Sequence, residues 1–293
     1  MSTGAPSWDD APTALAHPRS TLPPLHPRTS QSAMTSEPAI LLETQADVVH
    51  LTFNRPSQRN AVDLAMAERM RELAPRIANT RAKVIVMRAH GPAFMAGGDI
   101  ASFAPPDADI GAIIDGFHTF VRALAESAAS VVARIHGAVA GGGLSLALNA
   151  DVILAAEDAK FSFAYRRLGT SPDGGCTHQL PRIVGSRRAF ALLMMGEAMS
   201  ARDALSHGLI SEVVAPAELE ARTRAVTDLL RANAARAGAR TRKLLQESQR
   251  STLDEQLDAE REAFLACAST DDFREGVTAF LDKRLPRFHT PEH

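Results

Sequence analysis

The order of apolar and polar residues along the chain predicts an α/β protein. Ile40–Gln45 and Val48–Phe53 have the length and composition of two strands joined by a tight turn. Asp63 can cap a following helix, because apolar residues recur behind it at helical spacing. Further strands are predicted at Val84–Met87, Val131–Ile135, Val152–Ala155 and Ile210–Val214, and further helices at Ile110–Ser130, Leu144–Asn149 and Ser186–Met195. This alternation of strands and helices as far as Val214 is typical of the α/β class.

Beyond Val214 the pattern is helical only. Thr252 with Glu255, and Asp272 with Glu275, have the spacing of capping boxes ahead of apolar residues. We therefore expect a core domain at residues 35–220 and a C-terminal helical subdomain at residues 221–288.

The first 34 residues differ in composition from the rest. They contain six of the 17 prolines and the only tryptophan, Trp8. Such a segment cannot bury enough apolar surface to offset the entropy lost on ordering, so we predict a disordered tail at residues 1–34. It has no apolar stretch of the kind that a secretory signal requires.

Composition and charge narrow the classes of function. A net charge of −2 provides no field that attracts nucleic acid, so no nucleic-acid partner is expected. The two cysteines form no CxxC pair, which favours a reducing, cytoplasmic setting. No apolar run has the length of a membrane span, so no membrane partner is expected. No metal-ligand spacing is present, and no metal is expected.

Two glycine-rich loops, at residues 90–99 and 137–143, each follow a buried type of strand and precede a predicted helix. Glycine lets the backbone approach a ligand closely, and free N–H groups at a helix start attract negative charge. Two such N–H groups that point at one oxygen form an oxyanion hole, which stabilises an enolate. Either loop alone could equally be a tight turn, but the pair favours a site.

Four motifs follow one another along the chain: Phe53-Asn54-Arg55-Pro56 with Asn60-Ala61, Phe94-x-Ala96-Gly97-x-Asp99, Gly137-x-x-x-Gly141-Gly142-Gly143 and Leu180-Pro181-Arg182-x-Val184-Gly185. Together they resemble the crotonase (enoyl-CoA hydratase/isomerase) family over residues 38–288. The resemblance implies a crotonase-like superhelix of ββα turns with a C-terminal helical trimerisation region. It also implies a homotrimer or a dimer of trimers, and an acyl-CoA substrate with no separate cofactor.

The resemblance also assigns roles to individual residues. It implies oxyanion donors at the N–H groups of Gly98 and Gly142. For Arg59, a solvated surface charge remains the alternative to CoA binding, and for Asp99 a helix N-cap is favoured. The residues that the family would use to bind CoA are Arg59, Asn60, Ala61, Ala96 and Lys283.

The acid–base residues separate the branches of the family. A hydratase of this family uses two glutamates, but Ser145 and Tyr165 stand at those positions, and neither can replace a carboxylate at neutral pH. Asp173 lies in a Ser-Pro-Asp-Gly-Gly loop that resembles the loop of the phenylacetate-pathway enoyl-CoA isomerase branch. We predict that Asp173 is the catalytic base, with helix capping as the alternative, and that Tyr165 and Ser145 line the acyl pocket. His118 and His136 are possible further acid–base groups, although structural roles are favoured.

The sequence therefore predicts an enoyl-CoA isomerase that shifts a double bond through an oxyanion-stabilised enolate. One alternative is an enoyl-CoA hydratase. Another is an aromatic acyl-CoA hydrolase or dehalogenase in which the aspartate attacks as a nucleophile. The family dehalogenases use a pocket tryptophan, whereas the only tryptophan here is Trp8. A protein of another class, binding CoA or RNA without catalysis, is disfavoured by the charge and by Asp173.

Overall fold

The described part of the chain, residues 37–196 and 198–288 of a computed structural model, builds two β-sheets surrounded by helices. The tail predicted at residues 1–34 lies outside these ranges. The strands are β1 (Ile40–Gln45), β2 (Val48–Phe53), β3 (Val84–Ala89), β4 (Ala93–Met95), β5 (Ser130–Ile135), β6 (Ala138–Ala140), β7 (Val152–Ala156), β8 (Lys160–Ser162), β9 (Met199–Ser200) and β10 (Glu212–Val214).

The helices follow the predicted alternation and then form an uninterrupted helical series after β10. Short 3-10 turns lie at Pro56–Gln58, Tyr165–Leu168 and Pro216–Glu218. The α-helices are α1 (Leu64–Ala78), α2 (Ile100–Phe103), α3 (Ile110–Glu126), α4 (Gly142–Ala147), α5 (Cys176–Val184), α6 (Ser186–Met194), α7 (Ala201–Ser206), α8 (Leu219–Arg231), α9 (Ala235–Glu247), α10 (Leu253–Ala268) and α11 (Asp271–Leu281). The predicted division of the chain at residue 220 stays a prediction.

The larger sheet has the strand order β1-β2-β3-β5-β7-β10. β1 and β2 form an antiparallel hairpin with Ile40 opposite Phe53, and the remaining pairs are parallel. A parallel sheet is normally covered on both faces, and this one is. The face toward α8 buries a separate apolar cluster of Val48, Val84, Val86, Val132, Leu154, Ala156, Val214, Leu219 and Val226.

The smaller sheet, ordered β4-β6-β8-β9, explains how the site is assembled. Three successive strand pairs, β3/β4, β5/β6 and β7/β8, each place the first strand in the larger sheet and the second in the smaller one. Because β4, β6 and β8 run parallel, their carboxyl ends lie along one edge. The segments that follow these strands are therefore brought to the same side of the molecule.

Helices α1 and α3 pack closely together on the main core. The backbone of Gly116 approaches that of α1 so nearly that a methyl group there would lie 2.4 Å from the carbonyl oxygen of Ala67. Only glycine fits such a contact without a shift of one helix. This packing fixes the direction in which α3 presents its next residues, Phe117 and His118, to the site.

A buried arginine joins α9 to the end of α3. The Arg242 side chain is only 8% exposed, and its Nε lies 2.8 and 3.0 Å from the two carboxylate oxygens of Asp151. The same guanidinium donates to the carbonyl oxygens of Leu124, Ala125 and Ser127. Its charge and its donors are thus matched, as burial of a guanidinium requires.

The helix caps test the sequence patterns directly. Asp63 accepts from the N–H of Met66 at 2.9 Å, and Thr252 forms a complete capping box with Glu255, so both predictions are confirmed. The pairing of Asp272 with Glu275 is wrong. Thr270 caps α11, which places Asp272 inside the first turn, while the Glu275 carboxylate accepts from Arg284 at 2.7 and 2.9 Å. Within the described ranges, no helix combines the length and apolar character needed to cross a bilayer.

Candidate active site

The first glycine-rich loop leaves β4 and is anchored by a short bridge to Val62. The N–H of Val62 donates to the carbonyl of Gly97 at 2.8 Å, and the N–H of Asp99 donates to the carbonyl of Val62 at 2.9 Å. This bridge uses the residues on either side of Gly98. The N–H of Gly98 therefore stays outside the bridge and can donate a hydrogen bond to a ligand oxygen.

The second glycine-rich loop leaves β6 and starts α4 at Gly142. Gly141 has a φ of +50°, which favours glycine, and its N–H donates to the carbonyl of Ser162 at 2.9 Å. The N–H of Gly142 belongs to the first helical turn, where no intrahelical acceptor exists. It is therefore the second candidate donor for a ligand oxygen.

Backbone contacts bring the two loops together. A methyl group on Gly97 would lie 3.2 Å from the backbone nitrogen of Gly142, and one on Gly143 would lie 2.3 Å from the carbonyl oxygen of Met95. Glycine at these positions is what allows the approach. The loop that contains Gly98 thus lies directly against the loop that contains Gly142, as an oxyanion hole requires.

Asp173 lies at this junction. Its side chain is partly buried, and Oδ1 would be 3.7 Å from a methyl group placed on Gly142. The hydroxyl of Tyr165 donates to the same Oδ1 at 2.6 Å. Helix α5 begins after Gly175 and has no side-chain cap, so the Asp173 carboxylate faces the glycine loops and does not cap a helix.

Ser145 and Tyr165 extend this contact into a buried chain of hydroxyl groups. Ser145 Oγ lies 2.7 Å from the Tyr165 hydroxyl, and both side chains are buried. Since the single phenolic proton is directed at Asp173, the Ser145 hydroxyl must donate to Tyr165. Tyr165 is therefore hydrogen-bonded directly to the Asp173 carboxylate, and Ser145 is linked to it through Tyr165.

The electrostatic environment keeps these neighbouring groups neutral. Burial, followed by the nearby Asp173 carboxylate, raises the pKa of Tyr165 well above its usual value. Burial also raises the pKa of the Cys176 thiol to about 11, although a hydrogen bond with Ser145 opposes the shift. Tyr165 is thus a hydrogen-bond donor across the working pH range, and Cys176 is a protonated thiol with no exposed surface.

The predicted CoA-binding residues fall into two groups. The N–H of Ala96 donates to the carbonyl of Arg59 at 3.0 Å, which joins the segment of Arg59, Asn60 and Ala61 to the first glycine loop. Arg59 is exposed, whereas the Asn60 side chain is fully buried and binds the backbone of Arg55, His90 and Ala93. Asn60 therefore shapes the loop through its amide, and its side chain is not directed at solvent.

Lys283 is exposed and follows the end of α11, with a φ of +53°. Among the described residues, Lys283 makes no hydrogen bond or ion pair with Arg59, Asn60, Ala61 or Ala96. Asp99 stands at the N-cap position of α2 but makes no side-chain cap there. Its carboxylate instead pairs with Arg55 at 3.3 Å, so the favoured capping role for Asp99 is wrong.

The structure adds two residues near Asp173 to the candidate site. His118 Nε2 accepts from the N–H of Gly174, and Asn149 donates to the carbonyl of the same residue. The sequence indicated His118 as a possible acid–base group with a structural role favoured, and it gave no signal for Asn149. His136, by contrast, contacts the carbonyl of Gly91 at 2.8 Å, away from Asp173.

Comparison with known proteins identifies the family of the chain. The family model described as enoyl-CoA hydratase/isomerase matches residues 43–291. The chain is 32% identical over 255 residues to 1,2-epoxyphenylacetyl-CoA isomerase of Escherichia coli, covering 85% of this chain and 97% of that protein. It is 34% identical over 250 residues to a probable enoyl-CoA hydratase of Rhodobacter capsulatus, with 85% and 97% covered.

The solved structures point the same way. An enoyl-CoA hydratase from Polaromonas sp. JS666 superposes with a TM-score of 0.79 at 30% identity, covering 85% of this chain and 99% of that one. The chain belongs to the enoyl-CoA hydratase/isomerase family and has the crotonase fold, as its motifs predicted. The family comprises enzymes that act on acyl-CoA substrates, and its members carry both isomerase and hydratase names.

Proposed function

We propose that the protein is an enoyl-CoA isomerase that moves a double bond in an acyl-CoA thioester. One observation carries the proposal. The carboxylate of Asp173 lies beside Gly142 and is hydrogen-bonded to Tyr165, which stands, like Ser145, where a hydratase would have a glutamate. The site thus offers one base beside two backbone donors, and hydration would need two acid–base groups.

In the proposed mechanism, the thioester carbonyl accepts hydrogen bonds from the N–H groups of Gly98 and Gly142. Asp173 removes a proton from a carbon that is adjacent to the carbonyl or conjugated with it. The resulting dienolate carries its charge on the oxygen that the two N–H groups stabilise. Asp173 then returns the proton to a carbon two positions along, and the double bond has moved without a change in mass.

The hydrogen bond from Tyr165 distinguishes the two carboxylate oxygens of Asp173. Oδ1 accepts from Tyr165, so Oδ2 is the oxygen left to exchange the proton with substrate. A donor that stays neutral orients the carboxylate and does not compete for its proton. Ser145 and Tyr165 together form the wall of the acyl pocket on this side.

We place the CoA end of the substrate along the segment of Arg59, Asn60 and Ala61 and along Ala96. The hydrogen bond between Ala96 and Arg59 joins this segment to the loop that leads to Gly98. Arg59 is the exposed cation on that surface. Lys283 is the proposed contact for CoA phosphates from the C-terminal region, where a neighbouring subunit would bring it close.

The test is incubation of the purified protein with panels of 2-enoyl-CoA and 3-enoyl-CoA thioesters. Product mass and diene absorbance are then followed, with Asp173→Asn as the matched control. We expect products of unchanged mass with a shifted double bond. Accumulation of a product from crotonyl-CoA that is heavier by about 18 Da, the mass of water, would refute the isomerase assignment.

We further propose a homotrimer or a dimer of trimers. Large apolar side chains are exposed on α10, on α11 and just beyond it, an arrangement that marks an interaction surface in a soluble protein. Light scattering after size-exclusion chromatography should give three or six times the chain mass of 31.3 kDa, and a monomeric mass would contradict the proposal. The exposed side chains are Leu253, Leu257, Phe264, Leu265, Phe280, Leu281 and Leu285.

A further inference from the structure

The peptide units that follow Asp173 are held from two sides. The N–H of Gly174 donates to Nε2 of His118 at 3.2 Å. The carbonyl of Gly174 accepts from Nδ2 of Asn149 at 3.1 Å, and the same amide group donates to the carbonyl of Ser145 at 2.8 Å. Both polar groups of one backbone residue are thus bound by side chains from elsewhere in the chain.

Gly174 itself has no side chain that could fix the loop, and the space around it is closed. Its φ is +59°, and a methyl group there would lie 2.4 Å from the ring of Phe117. The loop cannot gain rigidity from a larger residue at this position. Its geometry therefore depends on the hydrogen bond that Gly174 donates to His118 and the one that it accepts from Asn149.

Helix α3 connects this support to the oxyanion loop. Phe117 also lies beside Gly142, 3.5 Å from where a methyl group on that glycine would be, and His118 is the next residue of the helix. A single rigid helix thus contacts the second glycine loop through one residue and the Asp173 loop through the following one. Helix α3 is thus one of the elements, together with the hydrogen bond from Tyr165, that hold Asp173 near Gly142.

We propose that His118 is a positioning residue that fixes the Asp173 carboxylate relative to the oxyanion donors. The inference rests on the proposed role of Asp173 as the base. Nε2 of His118 accepts a hydrogen bond, so the imidazole is neutral and carries its hydrogen on Nδ1. His118 acts through the Gly174 backbone, and a shift of the carboxylate by about 1 Å can cost roughly 100-fold in rate.

The kinetic test compares His118→Leu, which removes the acceptor, with His118→Gln, whose side-chain oxygen can replace it. His50→Leu is the matched control, because His50 is a partly buried histidine in β2 whose Nδ1 has no partner among the described residues. We expect kcat to fall about 10- to 100-fold in His118→Leu with KM unchanged, and about fivefold or less in His118→Gln. Equal loss in both variants, or full kcat in His118→Leu, would overturn the proposal.

A double variant separates positioning from direct catalysis. If His118 acts only through Asp173, adding His118→Leu to Asp173→Asn should produce no further loss of rate. Multiplied losses would mean that His118 acts independently and would overturn the positioning role. Binding of a non-reactive CoA thioester should be the same in all these variants.

Nitrogen NMR of the histidines in the unaltered protein gives a readout that does not depend on catalysis. We expect the His118 ring to show hydrogen on Nδ1 and a hydrogen-bonded Nε2. Hydrogen on Nε2 would overturn the proposal even if every variant folds poorly. If the NMR result holds but Asp173→Asn retains full turnover, the proposed function fails while the contact of His118 with Gly174 stands.

Discussion

Replacement of Asp173 by asparagine tests the proposed base with little change of shape. The amide keeps an oxygen that can accept a hydrogen bond from the Tyr165 hydroxyl, in place of the 2.6 Å bond to the carboxylate. The amide cannot take up a proton, and loss of a general base costs about 10²–10⁴ in rate. At 25 °C this corresponds to about 3–5 kcal/mol of barrier. Binding of a CoA ester and the melting temperature should change little.

The contacts of Asp173 predict that substitutions of its two hydroxyl neighbours lower the turnover rate by different amounts. Tyr165→Phe removes one hydrogen bond to a carboxylate, worth about 1.5–3 kcal/mol, which limits its effect to about 10- to 150-fold. Ser145→Ala removes a bond between neutral groups, worth about 1 kcal/mol, or roughly fivefold.

The assay measures turnover, CoA-ester affinity and melting temperature on the three variants together. The reasoning predicts losses in the order Asp173→Asn, Tyr165→Phe, Ser145→Ala. It would be refuted if Asp173→Asn kept full turnover while Tyr165→Phe or Ser145→Ala lost it. Unfolding of Asp173→Asn would instead assign the residue a structural role.

Other parts of the chain yield further expectations. Arg242→Met should lower the free energy of unfolding by about 3–5 kcal/mol in denaturant titration, because it removes the cation that pairs with Asp151 and the donors to three carbonyl oxygens. Lys243→Met, on the exposed face, should cost about 0.5 kcal/mol or less. A thiol reagent should modify at most Cys267 in the native protein, because Cys176 is buried and its thiol has a pKa raised to about 11. Modification of both cysteines before the protein unfolds would contradict this. Deletion of residues 1–33 should leave thermal stability and turnover unchanged, given the composition of that segment, and a large loss of either would make it an integral element.

Local sequence patterns predicted the elements whose signals are strong and contiguous. β1 and β2 have the predicted bounds, because two apolar runs flank a tight turn. β4 and β8 have three residues each, too few for a period to be detected, so residues 90–99 were predicted as a loop. Helix α5 was predicted only as a helix that follows Asp173, without bounds, because Pro181 and nearby glycines obscure its apolar spacing.

The candidate site was predictable to the extent that backbone motifs define it. The paired motifs predicted that the glycine loops lie together, although the parallel strands that carry them, β4 and β6, were not predicted. Tyr165 lies in a 3-10 turn that begins after Ala164 and ends before Gly169, and both of these flanking residues have left-handed backbone. The contact of Tyr165 with Asp173 depends on this turn. The contact of His118 with Gly174 joins distant parts of the chain, and no local pattern encodes it.

The division of the site between main chain and side chains has a consequence for how such enzymes diversify. The N–H groups of Gly98 and Gly142 come from loops held by backbone contacts, so substitutions elsewhere do not delete them. Positions 145, 165 and 173 contribute only side chains, which can be exchanged one at a time. Substitutions at these three positions, natural or from a small designed library, could therefore change the proposed proton-transfer chemistry. The backbone N–H groups proposed to bind the thioester oxygen would stay the same.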